Sequence, residues 1–243
     1  MSKTIIANWK MNLSLNKSLI LLEKILPALE NNKNKIVICP DFASLGLSAI
    51  AVSGSKLFIG AQDCADSLEG SFTGEVSARV LREIGASYVI LGHSERRIFQ
   101  LENDALINKK IKTALGAGLK VVLCLGEDIK EKKAKLTKKV LQVQLKNALK
   151  GVDKKESRNI LIAYEPVWAI GSGKALEAQE AGEIAEFLKS KSLDLIGRRL
   201  EVLYGGSVSL NNASLFLKNK NISGLLLGGA SLEAEKFISI CSI

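Results

Sequence analysis

The sequence predicts a single closed (β/α)8 barrel over residues 1–243, and three observations carry that prediction. Short runs rich in Ile, Val and Leu alternate eight times with longer segments of helical period. The short runs are apolar on both faces, as parallel strands covered by helices must be. A chain of 243 residues is long enough to bury its own core and suits one α/β barrel.

The elements follow in order. The strand Thr4–Ala7 leads to a helical stretch Leu15–Asn31, with Pro27 placed to bend it. Lys35–Cys39 leads to Ala43–Val52, Leu57–Ala61 to Val76–Ile84, and Tyr88–Leu91 to Asn103–Leu115. Leu119–Leu123 leads to Ile129–Lys150, and Ile160–Ala163 to Leu176–Lys191. Leu200–Leu203 and Leu210–Lys218, then Leu225–Leu227 and Leu232–Ile240, complete the series. Gly85, Gly116 and Gly118 mark helix exits. A doubly wound open sheet is the competing architecture, and it carries G-x-G-x-x-G after its first strand. Here Asn8-Trp9-Lys10-Met11-Asn12 stands in that place, so the barrel is preferred.

Composition excludes several classes. Hydrophobic residues make up 47% and charged residues 24%, which rules out a disordered chain. Cys39, Cys64, Cys124 and Cys241 lie far apart, and His93 is the only histidine, so no metal site is expected. The cysteines read as buried free thiols of a cytoplasmic protein. No stretch approaches the ~20 apolar residues of a membrane span, so no membrane association is expected. The net charge is +9, and it concentrates between Lys130 and Lys155, where ten lysines face only Glu131 and Asp153. That stretch holds no arginine and no aromatic residue, which base-reading and single-strand surfaces usually add, so no nucleic-acid partner is expected. Leu136, Val140, Val143 and Leu149 recur there at helical spacing, which predicts one amphipathic helix with a lysine-covered outer face.

The chemistry-bearing residues gather just past the strands. His93 follows Val89-Ile90-Leu91-Gly92, and Glu165 closes the sixth strand. Trp9 and Lys10 follow the first strand, Gly205-Gly206-Ser207 the seventh, and Gly228-Gly229 the eighth. Each alone has a plain structural reading: a satisfied histidine, a glutamate paired with Arg96 or Arg97, a turn, a surface lysine. Their common placement on one rim, where such barrels keep their active sites, favours function. The glycine segments suit an anion: backbone N–H groups can approach it, Ser207 adds a hydroxyl, and a short helix starting after Gly229 adds its positive end. Pro166–Lys174 has an apolar middle and small closing residues, and reads as a lid.

Seven ordered blocks then mark a resemblance. They are Asn8-Trp9-Lys10-Met11-Asn12, Gly60-Ala61-Gln62, Phe72-Thr73-Gly74-Glu75, Gly92-His93-Ser94-Glu95-Arg96-Arg97, the run from Ala163 to Gly171, Tyr204–Val208 and Gly228–Leu232. The chain resembles the triosephosphate isomerase family from end to end. That resemblance implies interconversion of dihydroxyacetone phosphate and D-glyceraldehyde 3-phosphate through an enediolate, without cofactor or metal. It implies Glu165 as base, a neutral His93 as the group that polarises the carbonyl, and Lys10 as a fixed positive charge. The family is itself the standing example of a neutral histidine used in this way. It further implies Asn8 as orienting group, Glu95 as organiser of Lys10, and Gly171, Ser207, Gly228 and Gly229 as phosphate contacts. A homodimer through the 63–75 loop is implied as well. Asp63, Ser172 and Asp41 depart from residues common in the family, without touching the implied base, electrophile or phosphate glycines. The alternatives are another phosphate-binding barrel enzyme for a larger sugar phosphate, and a catalytically silent anion-binding barrel.

Overall fold

A computed structural model of the chain describes residues 2–170 and 175–243. Its strands are β1 (Thr4–Asn8), β2 (Lys35–Cys39), β3 (Phe58–Ala61), β4 (Ala86–Leu91), β5 (Lys120–Leu125), β6 (Ile160–Tyr164), β7 (Glu201–Tyr204) and β8 (Gly224–Leu227). Each pairs in parallel with the next, and β8 pairs with β1 to close the barrel. The predicted fold class is borne out, and every predicted strand falls on an observed one.

The double-sided apolarity of the strands has a direct cause. Ile6, Val37, Cys39, Tyr88, Ile90, Val122, Cys124, Leu161, Ala163, Leu203 and Leu226 turn inward and fill the barrel. Their neighbours, such as Ile5, Ile38, Val89, Val121 and Ile162, turn outward into a second core beneath the helices. Burying each such Ile, Leu or Val side chain contributes about 1.5–3 kcal/mol. Among the described residues, the covering helices are α1 (Leu15–Leu29), α2 (Phe42–Val52), α3 (Ala78–Glu83), α4 (Ser94–Phe99), α5 (Asp104–Gly116), α6 (Ile129–Lys133), α7 (Thr137–Ala148), α8 (Ala178–Ile196), α9 (Leu210–Lys218) and α10 (Ala234–Cys241). None of them is long and apolar enough to cross a membrane. Polar side chains stop the helices from unravelling at their starts. Asp41 accepts from the Ser44 N–H at 3.0 Å, and Asn103 from the Leu106 N–H at 2.9 Å.

Two expectations need correction. Ile129–Lys150 is two helices, because Lys135 takes a left-handed φ of 60° between α6 and α7. All four residues of the predicted apolar face follow the break, and of them only Leu149 is buried, because α7 turns a different stripe inward. Leu141, Leu145 and Ala148 are buried, while Leu136 and Val143 from the predicted apolar face are exposed. The lysines are not a uniform solvated face either: Lys132 pairs with Glu180 and stands 5.6 Å over the Trp168 ring. Second, α8 runs five residues past Lys191 to Ile196, where Gly197 at φ 67° ends it. Pro27 lies in the last turn of α1.

Candidate active site

Lys10 is the first residue to leave regular geometry after β1, with a left-handed φ of 53°. A non-glycine residue keeps such a backbone only where its surroundings hold it there. Two side chains do so. Asn8 Oδ1 accepts from the Lys10 N–H at 3.1 Å, and Gln62 Nε2 donates to the Lys10 carbonyl at 2.9 Å. The Lys10 ammonium is thereby aimed at Glu95 Oε1, 2.5 Å away.

His93 sits where β4 hands over to α4. Gly92 makes the turn at φ 71°, and Arg97 Nε donates to the Gly92 carbonyl at 2.8 Å. His93 then caps α4: its Nδ1 accepts from the Glu95 N–H at 3.2 Å. A lone pair must point at that N–H, so the ring proton belongs on Nε2. Nε2 lies 3.2 Å from Glu165 Oε1.

Glu165 follows β6, 2% exposed, with its N–H donating to the Leu125 carbonyl at 2.8 Å. Its Oε2 accepts from the Ser94 N–H at 3.2 Å. Arg96 and Arg97 do not neutralise it: Arg96 binds Asp63 and Glu102, and Arg97 binds Asp104. The plain ion-pair reading of Glu165 is therefore set aside. Glycine makes its room, since a Cβ on Gly205 would lie 2.9 Å from Glu165 Cγ.

These groups share a cavity of about 340 Å³. Asn8, Lys10, His93, Glu165, Ile170, Ser207, Gly228 and Gly229 line it, and Gly228 lies beside Lys10. The expected helix after Gly229 is only a 3-10 turn, Gly229–Ser231, and α10 starts at Ala234. Three residues are too few to align a macrodipole, so the expected positive helix end is not at this position. Gly171, expected among the phosphate contacts, lies outside the described residues, as do Ser172 to Lys174 of the expected lid.

Sequence comparison adds an independent line. The family model described as Triosephosphate isomerase matches residues 3–243. The protein named triosephosphate isomerase from Caldanaerobacter subterraneus subsp. tengcongensis is 39% identical, over 99% of each chain. The one from Aquifex aeolicus is 41% identical, over 99% of this chain and 98% of the relative. The chain belongs to the triosephosphate isomerase family.

Within this triosephosphate isomerase scaffold, several contributing residues escaped sequence reading. Gln62 was quoted inside a motif with no role, yet it holds the Lys10 turn and also donates to the Cys39 carbonyl at 3.0 Å. Glu127 ends the β5 segment as Glu165 ends β6, so the same strand-end logic could have found it. Fully buried, it accepts from Trp168 Nε1 at 2.9 Å and from the Tyr164 hydroxyl at 3.2 Å. Burial pushes its carboxyl up, and those hydrogen bonds partly oppose the shift. Asp63, noted only as a departure, turns out to be an ion-cluster member, with its Oδ2 2.7 Å from Lys110 Nζ.

Proposed function

We propose that this chain interconverts dihydroxyacetone phosphate and D-glyceraldehyde 3-phosphate by proton transfer, in glycolysis and gluconeogenesis. The observation that carries the reading is the facing pair, Glu165 Oε1 and His93 Nε2 at 3.2 Å, in a cavity that Ser207, Gly228 and Gly229 also line. A phosphate held by Ser207, Gly228 and Gly229 brings the adjacent carbons up to Glu165, whose carboxylate gives up its contact with His93 Nε2 so that both groups face the substrate. The Glu165 carboxylate removes a proton from one carbon, and the electron pair moves onto the carbonyl oxygen. The His93 Nε2–H donates to that oxygen, Lys10 supplies positive charge, and Asn8 holds the Lys10 turn. Glu165 then returns the proton to the neighbouring carbon, while the hydroxyl proton of the first carbon passes by way of His93 to the oxygen of the second, leaving the new carbonyl on the first carbon. The exchange is internal to the substrate and calls for no outside oxidant or reductant. A positioned base is worth about 10²–10⁴-fold, and one oxyanion donor about 3–4 kcal/mol, so both groups are needed against a weakly acidic C–H.

A homodimer through the 63–75 loop belongs to the same reading. A second cavity of about 360 Å³ adjoins the first, bordered by Lys10, Met11, Phe42, Glu95 and Phe99. Met11 and Phe99 at that cavity are exposed by 93% and 73%, apolar surface that suits a partner's loop, and Phe72 on the 63–75 loop is itself exposed by 50%. The four free buried thiols fit the reducing cytoplasm.

Incubation of the purified protein with dihydroxyacetone phosphate in D2O tests the reaction. Glyceraldehyde 3-phosphate and carbon-bound deuterium are expected, and the absence of both overturns the reading.

A further inference from the structure

The opposite end of the barrel holds another cavity, of about 160 Å³. The strand alternation builds it. Val37, Val122 and Leu203 point into the barrel, so Lys35, Lys120 and Glu201, two residues earlier on β2, β5 and β7, point into its N-terminal mouth. Tyr88 and Leu161 lie beneath them, and Arg158, Arg198 and Arg199 come from the segments entering β6 and β7. Five cations thus surround one carboxylate. Arg199 is taken up by Glu186, at 2.6 and 2.7 Å. Among the described residues, Lys35, Lys120, Arg158 and Arg198 have no carboxylate oxygen within 4.0 Å.

That arrangement is unfavourable by itself. Lys120 stands 5.4 Å from the centre of the Tyr88 ring, and its ammonium is pushed down by burial and then by the like charge of Lys35, with the carboxylate of Glu201 opposing the shift. Two lysines aimed into one mouth repel each other, and an anion between them turns repulsion into attraction. The cavity is less than half the volume of the one that holds Glu165, which restricts the occupant to a compact group.

We propose that the N-terminal mouth of the barrel is a second anion site, which binds a phosphate-class oxyanion through Lys35, Lys120, Arg158 and Arg198. Arginine supplies the forked donors that phosphate geometry favours, and the two lysines supply point charge at the floor. The site is remote from the reacting groups at the other mouth, so its occupancy stabilises the folded chain by mass action without changing turnover.

Equilibrium dialysis against labelled inorganic phosphate tests this. Two saturable sites per chain are expected. Lys120→Met/Arg198→Gln leaves one site and normal isomerisation, Ser207→Asp leaves the other, and the combination leaves none. Each cation removed singly weakens the mouth site by roughly tenfold, or about 1.4 kcal/mol. Should Lys120→Met unfold the chain, Arg158→Gln/Arg198→Gln gives the same readout from exposed positions. A parallel arm with glucose 6-phosphate separates a free oxyanion, for which only inorganic phosphate binds at the mouth, from a phosphorylated metabolite, for which both bind. The proposal is overturned if the double variant retains the wild-type stoichiometry, or if Ser207→Asp binds no phosphate. Isomerase activity is read separately in the same samples, so a failure of the catalytic reading leaves this outcome untouched.

Discussion

At the scale of single residues, position outweighs residue type. Glu165 is one of 25 acidic residues, and what distinguishes it is a slot without an arginine, facing His93. Shortening it tests that geometry. Glu165→Asp withdraws the carboxylate by about one bond length, and a displacement of that order costs about 10²-fold in rate. Steady-state kinetics should show the loss in kcat with the thermal midpoint unchanged, and wild-type kcat would remove Glu165 from its role. Gly205→Ala approaches the same group from behind. The new methyl meets Glu165 Cγ at 2.9 Å, so the carboxylate must shift. Turnover is expected to fall by about 10²-fold while phosphate binding persists, and unchanged turnover would mean that Glu165 yields without cost.

At the scale of elements, loops are pinned together by charge. Asp63 after β3, Arg96 on α4, and Glu102 and Lys110 around α5 form a buried cluster of two cations and two carboxylates. It holds α4, and with it the His93 cap, against α5. Asp63 Oδ1 and Glu102 Oε2 lack hydrogen-bond partners among the described residues, so the carboxylates are incompletely compensated. Burial pushes the Asp63 carboxyl from its ordinary 3.8 up to about 6, against the opposing charge of Lys110. A carboxyl raised in the native state binds its proton more tightly folded than unfolded. Its contribution to stability is therefore greatest at low pH and falls as pH rises through that interval. Asp63→Asn cannot titrate. Wild-type stability relative to this variant should decline by on the order of 2–3 kcal/mol between those two pKa values and then level off. Denaturant titrations across the interval check it, and a difference independent of pH would show that Asp63 is well solvated. The break between α6 and α7 belongs to this scale too. Apolar spacing locates an amphipathic stretch, but it shows neither that Lys135 divides it nor that packing turns Leu141, Leu145 and Ala148 inward in place of Val143.

At the scale of the whole molecule, the barrel divides its apolar content into two cores, and cysteines report on both. Cys39 and Cys124 lie in the barrel interior, and Cys64 and Cys241 in the layer beneath the helices. Burial pushes the Cys64 and Cys241 thiols up to about 12, and Cys39 and Cys124 shift the same way. Reaction with a thiol reagent needs the thiolate and access, and burial denies both. The native protein should leave all four unreacted on the timescale of mixing, and denaturant should expose all four. Rapid modification of any of them in the native state would contradict the buried placement.

The sequence by itself determined the barrel, the order of its strands, and the rim on which Lys10, His93, Glu165, Ser207, Gly228 and Gly229 stand. These were legible because strand hydrophobicity, turn glycines and strand-end polar residues are local signals. Only the tertiary structure decided which of those residues meet, that Gly205 makes the space Glu165 occupies, that Asp63 is ion-paired, and that Lys35 and Lys120 share one mouth. The physical reason is closure. Contacts between residues tens of positions apart depend on the register and curvature of all eight strands together, and no local stretch of the chain encodes that.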